Sequence, residues 1–214
     1  MRPILRGRDI KRYGYDFDDL WLINAHNGVK EKNLKRIEIT NYPSIKKHLD
    51  LYYKQLEKRA DKGDTLYNLR NCAYMEDFSK QKIMYPNMTK FLPFYLDNKG
   101  FVQNDKAFMI TGKNIAYLTA FLNSSLFKYC FLDNFPELQG GTREVRKIFL
   151  DKIPVIQVSE KVNFEYEKLV LTVQQLKKKQ LPTREIEIEI DKKIFELYSL
   201  TEEEKNTIGF VEIQ

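Results

Sequence analysis

"NIAYLTAFLNSSLFKYCF" (residues 114–131) is apolar nearly all the way round a helical wheel. A surface helix keeps a polar face, so a stretch without one is expected to be a helix buried in the core. Its surroundings decide the fold class. On its N-terminal side, "KIMYP" (82–86), "PFYLD" (93–97) and "KAFMIT" (106–111) are short runs of strand-forming residues, separated by turns at Asn87 and at "DNKG" (97–100). Strands this close in sequence predict a local antiparallel meander. On its C-terminal side, "NFEYEKLVLTVQQLKKKQ" (163–180) places Tyr166, Leu169 or Val170, Val173 and Leu176 on one stripe and closes with Lys177, Lys178 and Lys179, which favour a helix C-terminus. The expected class is α+β: an antiparallel β-rich body with packed helices over residues 1–158, then a helical C-terminal extension over 159–214 that packs on it or acts as a spacer.

The remaining elements follow the same periodicities. "DLWLIN" (19–24) and "LKRIEI" (34–39) read as strands around a turn at Gly28, and "NYPSIKKHLDLYYKQLEKRA" (41–60) reads as a helix with Pro43 in its first turn. Residues 61–81 lack a sustained period and read as loop. "LQGGTREVRKIFLDKIPV" (138–155) turns on Gly140 and Gly141, passes through a basic amphipathic segment and leads into a short strand at Ile153–Val158. In "TREIEIEIDKKIFELYSL" (183–200), the alternation of Ile186, Ile188 and Ile190 competes with helical spacing at Ile190, Ile194 and Leu197; length and a Glu-rich first turn favour helix. "TEEE" (201–204) is a capping-box pattern that opens another short helix.

No stretch approaches eighteen consecutive apolar residues, so a soluble protein with no membrane contact is expected. Cys72 and Cys130 are too few for a disulfide framework, which predicts reduced thiols and fits a cytoplasmic setting. His26 and His48 form no metal-ligand pattern and read as structural or surface residues. The net charge of +6 is unevenly spread: residues 1–90 carry 19 basic and 12 acidic side chains, residues 91–157 eight and six, and residues 158–214 nine and twelve. A basic front half is the footprint of a polyanion partner, against the alternative of a generally Lys-rich surface. The front opens with "RPILRGRDIKRY" (2–13), where Arg2, Arg6, Arg8, Lys11 and Arg12 face one acid, Asp9. It has no apolar core that would make it an export signal, and Gly7, Asp9 and Gly14 interrupt an amphipathic presequence helix. A basic lead-in to the domain, or a mobile arm, remains.

No catalytic set stands out. The Gly140–Gly141 pair sits in neither a dinucleotide fingerprint nor a P-loop, and GxSxG is absent. Asp191 followed by Lys192 and Lys193 formally resembles part of a metal-dependent nuclease string, but the nearby acids spread around a helix rather than converging on an ion. Basic, amide and aromatic residues interleave more pointedly over 59–91, much of it loop. Arg and Asn can bond base edges in pairs while Lys and Arg hold phosphates. Tyr67, Asn68, Arg70 and Asn71 are therefore candidate base readers, and Arg6, Arg8, Arg59, Lys80, Lys82, Lys90, Arg143 and Arg146 candidate phosphate contacts. The plainer reading is a solvated loop anchored to the core by Tyr74 and Phe91, with Arg143, Arg146 and Lys147 on a solvated helix face.

Taken together, "RPILRGRDIKRY", "YPSIKKHLDLYYKQLEKR", "YNLRNCAYMEDFSKQKIMYP", "FLNSSLFKYCF", "GGTREVRKIFLDKIPV" and "EIDKKIFELYSLTEEE" resemble the TaqI-like C-terminal specificity domains of single-chain Type II restriction-modification enzymes and N6-adenine DNA methyltransferases. "LNSSL" and "KIPV" also look like the specificity subunits of Type I systems. The resemblance implies a bacterial, cytoplasmic, non-catalytic domain that recognises a short double-stranded DNA sequence and presents an adenine for flipping into a methyltransferase pocket. It implies that the methyltransferase, and possibly a nuclease, lies upstream, with S-adenosylmethionine and Mg²⁺ belonging to those catalytic domains and no cofactor to this chain. The reading from another class is a protein-interaction module that uses its C-terminal helices, its basic face being incidental.

Overall fold

The computed structural model describes residues 1–29 and 33–210, so the last four residues of the expected tail lie outside the described residues. In chain order the strands are β1 (Arg2–Leu5), β2 (Ile10–Lys11), β3 (Gly14–Tyr15), β4 (Trp21–Leu22), β5 (Lys82–Pro86), β6 (Met88–Thr89), β7 (Tyr95–Asp97), β8 (Val102–Gln103), β9 (Ala107–Ile110) and β10 (Arg143–Glu144). The helices are α1 (Pro43–Asp50), α2 (Tyr53–Lys58), α3 (Ile115–Leu122), α4 (Ser125–Asn134), α5 (Lys147–Leu150), α6 (Glu160–Lys178), α7 (Arg184–Leu197) and α8 (Glu202–Ile208). The chain divides into a larger unit, Pro3–Leu20 with Asp77–Gln214, and a smaller one, Met1–Arg2 with Trp21–Glu76. The fold is α+β, with small antiparallel sheets and a C-terminal helical region.

In the larger unit β5 is the middle strand of three, antiparallel to β7 on one edge and to β9 on the other. A meander would have put β7 in the middle. Instead the chain leaves β7 through the Asp97–Gly100 turn, runs β8 alongside β1 in parallel register with Ile4 opposite Val102, and returns as β9 on the far edge of β5. All five residues of β5 are buried because its two faces serve different cores. Ile83 and Tyr85 join a large aromatic core with Phe94, Tyr117, Phe121 and Phe127, while Met84 joins a second with Leu5, Ile10, Tyr95 and Phe101. The basic lead-in is thus an ordered part of the fold, held by Leu5 and Ile10, and the mobile-arm reading does not apply.

Lys82 and Asp97, opposite each other on β5 and β7, are both 0% exposed and form an ion pair. Such a pair is tolerated only when the remaining polar positions are also bonded. Here Asp97 accepts the N–H groups of Lys99 (2.8 Å) and Phe101 (3.0 Å), closing the turn, and Lys82 Nζ also donates to the Phe78 carbonyl (2.8 Å).

The apolar stretch 114–131 is two helices rather than one, bent by 68° between α3 and α4. Asn123 and Ser124 cause the break, since short polar side chains bond nearby backbone and favour caps over helix interiors. Ser124 N-caps α4 by accepting Phe127 N–H (3.1 Å). Asn123 clasps Phe94, donating to its carbonyl (2.8 Å) and accepting its N–H (3.3 Å). Ser125 donates its N–H (2.8 Å) and its hydroxyl to the buried Asp191 carboxylate on α7. No single helix among the described residues is long and apolar enough to cross a membrane.

The core runs across residue 158 without a break. Tyr166, Val170 and Val173 of α6 and Ile190, Ile194 and Phe195 of α7 share it with α3 and α4, and Tyr198 stacks on Phe121 at 5.5 Å. The expected strand at 153–158 does not form. This segment is pinned by side chains instead: Ile156 N–H donates to Tyr198 Oη (3.2 Å), and Asn114 Nδ2 donates to the Val158 carbonyl (2.7 Å). α8 opens with the capping box of Thr201 and Glu204.

The smaller unit is mostly irregular. "LKRIEI" forms one bridge, Val29 to Leu34, rather than a strand, and residues 41–60 form α1 and α2, interrupted at Leu51 and Tyr52. Neither helix has a buried residue, and short helices without a packed face gain little from propensity alone. The organising residue is Asn68, 1% exposed, whose Nδ2 donates to the carbonyls of Ile37 (3.0 Å), His26 (3.2 Å) and Ala25 (3.4 Å).

The Ser125–Asp191 contact makes a measurable claim. Asp191→Ala strands two buried donors at about 1–3 kcal/mol each, so urea unfolding should show a loss of roughly 2–5 kcal/mol. Asp191→Asn keeps an acceptor for Ser125 N–H and should lose much less. Burial pushes the Asp191 carboxyl above its ordinary value, more than the Ser125 hydrogen bonds and Arg12 pull it down. A raised native pKa means stability falls as pH rises from about 4 through that value. The wild type should therefore lose stability over that window relative to Asp191→Asn; parallel curves would contradict the assignment.

Candidate nucleic-acid interface

The lead-in string "LRGRDIKRYGY" builds the first wall of a cleft in the larger unit. Arg6 N–H donates to Asp9 Oδ2 (2.8 Å), and the Arg6 guanidinium bonds Asp9 and Asp18. Burial alone would raise the Asp9 carboxyl, but the hydrogen bonds from Arg6 outweigh it and hold the group below the usual carboxylate range. Gly7 is required here because a Cβ would run into the Lys106 carbonyl. The turn so fixed leads into the β2–β3 hairpin and brings Arg8, Lys11 and Tyr15 to the cleft.

Residues 86–93 form the opposite wall. β6 pairs with β10, Asn87 N–H donates to the Lys106 carbonyl (3.0 Å) while its own carbonyl accepts Val145 N–H (2.9 Å), and Thr89 Oγ1 holds both the N–H and the carbonyl of Phe91 at 3.0 Å. Phe91 itself stands at the cleft, 61% exposed. Lys128 of α4 and the last turn of α6, with Gln174, Gln175, Lys177 and Lys178, close the remaining side, while Pro93, Tyr95, Leu96 and Phe131 also line it.

The cleft has a volume of about 1570 Å³, and its lining among the described residues includes nine basic side chains and one acidic one, Asp16. The basic residues are Arg8, Lys11, Arg12, Lys90, Lys99, Lys106, Lys128, Lys177 and Lys178. Several of them are braced: Lys11 donates to the Arg8 carbonyl (2.9 Å) and pairs with Asp16 (3.5 Å), and Lys106 pairs with Asp105 (2.9 Å). Arg12 bonds Glu187 (2.6 and 2.9 Å) and the Asn123 carbonyl, and Lys99 lies over the Tyr15 ring at 4.9 Å. Burial pulls the Lys177 ammonium below its ordinary value, only partly offset by Glu187 at 3.8 Å. Cations concentrated in a concave, partly desolvated surface focus a positive field, which suits a polyanionic chain. Aromatic groups beside them suit stacking on bases. No group of three or more His, Cys, Asp or Glu among the described residues could hold a metal ion.

Of the candidate phosphate contacts, Arg8, with a side chain 73% exposed, and Lys90 line this cleft. Lys82 is a correction: wholly buried against Asp97, it cannot reach a phosphate. Arg6 is committed to Asp9 and Asp18, and Arg143 to the Phe135 carbonyl (2.6 Å) and Glu137 (3.2 Å). Arg146 pairs with Glu144 and Lys80 with Asp77, each at 2.6 Å. Arg59, in the smaller unit, donates to the Asn68 carbonyl (2.6 Å).

The candidate base readers all belong to the smaller unit. Asn68 is a second correction, since its amide is bonded to backbone inside that unit. Tyr67 donates its hydroxyl to Asp50 (2.6 Å). Arg70 and Asn71 are exposed, Arg70 carrying a surface pair to Asp61 at 3.3 Å. Asp191 is bonded to Ser125 inside the core, which removes the nuclease reading of its string. Sequence reasoning missed Lys11, Lys99, Lys106, Lys128, Lys177 and Lys178 as one group because they come from five separate segments. The single lysine in the apolar run 114–131 was the one local signal.

None of the curated proteins compared with this chain matches it. A family model, the TaqI-like C-terminal specificity domain, matches residues 2–155, a span that holds the central sheet, the α3–α4 joint and two walls of the cleft and stops before α6. The chain belongs to the family of TaqI-like C-terminal specificity domains.

Proposed function

We propose that this chain recognises a short double-stranded DNA sequence on behalf of a bacterial restriction-modification enzyme, and that the cation-lined cleft of the larger unit grips the phosphate backbone. The observation that carries this reading is the nine-to-one excess of basic over acidic side chains in that cleft. Membership of a specificity-domain family supports it. In this reading the chain is not itself catalytic. It positions a methyltransferase, with or without a nuclease, whose S-adenosylmethionine and Mg²⁺ belong to those domains, in the cytoplasm. Arg70 and Asn71, exposed on the smaller unit, remain the proposed base readers.

The interaction-module alternative asks for a spare apolar face on the tail helices. Tyr166, Val170, Val173, Ile190, Ile194 and Phe195 are instead buried in the chain's own core, which weighs against it.

Fluorescence anisotropy on a random-sequence duplex of about 25 base pairs should give a Kd of roughly 10⁻⁴ to 10⁻⁶ M and a log–log salt slope near −0.9 per phosphate neutralised. Lys11→Gln with Lys99→Gln should flatten that slope by up to about 1.8; an unchanged slope would remove those residues from the grip. Arg70→Ala should weaken binding to a selected sequence by about 1–3 kcal/mol and leave random DNA nearly unaffected. Equal losses on both would strike Arg70 from the base readers. Lys82→Ala should behave differently from all of these: leaving Asp97 buried without its partner should cost about 3–5 kcal/mol of stability, with the salt slope of the folded fraction unchanged.

A further inference from the structure

We infer that the last turn of α6 is a working wall of this cleft, with Lys177 and Lys178 contacting DNA phosphates, so that the nucleic-acid-binding surface extends beyond the family-matched segment into the helical tail. This rests on the duplex-binding reading above.

Three observations carry it. Lys177 and Lys178, with Gln174 and Gln175, line the same cleft as Arg8, Lys11 and Lys90, although α6 begins after the family-matched residues 2–155. The wall is also fixed in place. Glu187 of α7, buried and held by Thr183 Oγ1 (2.7 Å), lies between Arg12 from the lead-in (2.6 Å) and Lys177 (3.8 Å). One carboxylate therefore ties both walls, reaching Arg12 from 175 positions further along the chain, and leaves the group of three with a net positive charge. Third, Lys178 is exposed at the cleft and has no carboxylate within ion-pair distance among the described residues. Lysines at the end of a helix are favoured by its dipole in any case, and that effect explains their presence in the last turn. It does not explain a buried carboxylate on a neighbouring helix that fixes one of them beside Arg12.

The test compares two double variants of the full chain that remove equal charge from the same helix. Lys177→Gln with Lys178→Gln alters the cleft; Lys161→Gln with Lys168→Gln alters exposed positions of α6 that do not line it. Circular dichroism checks that each folds, and Lys178→Gln alone, at an exposed site, serves if the pair does not. Anisotropy titrations against the same duplex across salt are then compared. The wall predicts that the first double variant flattens the log–log slope by roughly 1.8 and Lys178→Gln by about half of that, from one released counterion set per phosphate, while the second double variant leaves the slope near wild type. Equal changes in the two double variants, or an unchanged slope in the first, would overturn the wall while the wild type's steep slope kept the duplex-binding reading intact. A wild type with no salt-dependent duplex binding would overturn both.

Discussion

The larger unit depends on a buried carboxylate set against the start of a buried helix. The first N–H groups of a helix have no partner within it, and a carboxylate excluded from water must be bonded or neutralised. Asp191 and Ser125 answer both needs at once: the serine N–H and hydroxyl go to the two carboxylate oxygens. Because Glu187 lies four residues before Asp191 on α7, both acids lie on one helix face. The first holds Arg12, the second Ser125, and Arg12 also donates to the Asn123 carbonyl. Asn123 in turn clasps Phe94 beside β7. Three residues, Asn123 to Ser125, thus gather the lead-in, the sheet and the tail.

That joint explains how a cleft can be made from distant parts of the chain. The lead-in supplies Arg8 and Lys11, the segment after β5 supplies Lys90, the turn after β7 supplies Lys99, and α4 and α6 supply Lys128, Lys177 and Lys178. Like charges so close would repel if the segments were free to part. They are instead tied by contacts elsewhere: Arg6 to Asp9, Lys82 to Asp97, Arg12 to Glu187. The scaffold pre-organises a surface on which basic side chains outnumber the carboxylates paired with them, and displacement of the counterions such a surface gathers is what the proposed docking of a polyanion would exploit.

Much of the fold was legible from periodicity. β5, α6, α7 and the capping box of α8 stand where their patterns place them. What failed did so for identifiable reasons. The meander failed because Met84 and Ile83 serve two different cores, so β5 is central, a property of packing that alternation does not encode. The single helix failed at Asn123 and Ser124, whose capping chemistry was visible but outweighed by the apolar residues around it. Among the site residues, residue type alone could not separate Lys82, paired in the core, from Lys90, open at the cleft, nor Asn68, bonded to its own loop, from Asn71 at the surface. That distinction is made by long-range burial.

The central claim is that the cleft of the larger unit is where DNA docks. Backbone amide chemical-shift mapping of the ¹⁵N-labelled chain, titrated with a short duplex at low salt, tests it residue by residue. The account predicts that the shifted amides cluster at Gly7–Asp16, Asn87–Phe91, Lys99 and the last turn of α6. Shifts that leave those segments unmoved while the duplex binds would contradict it.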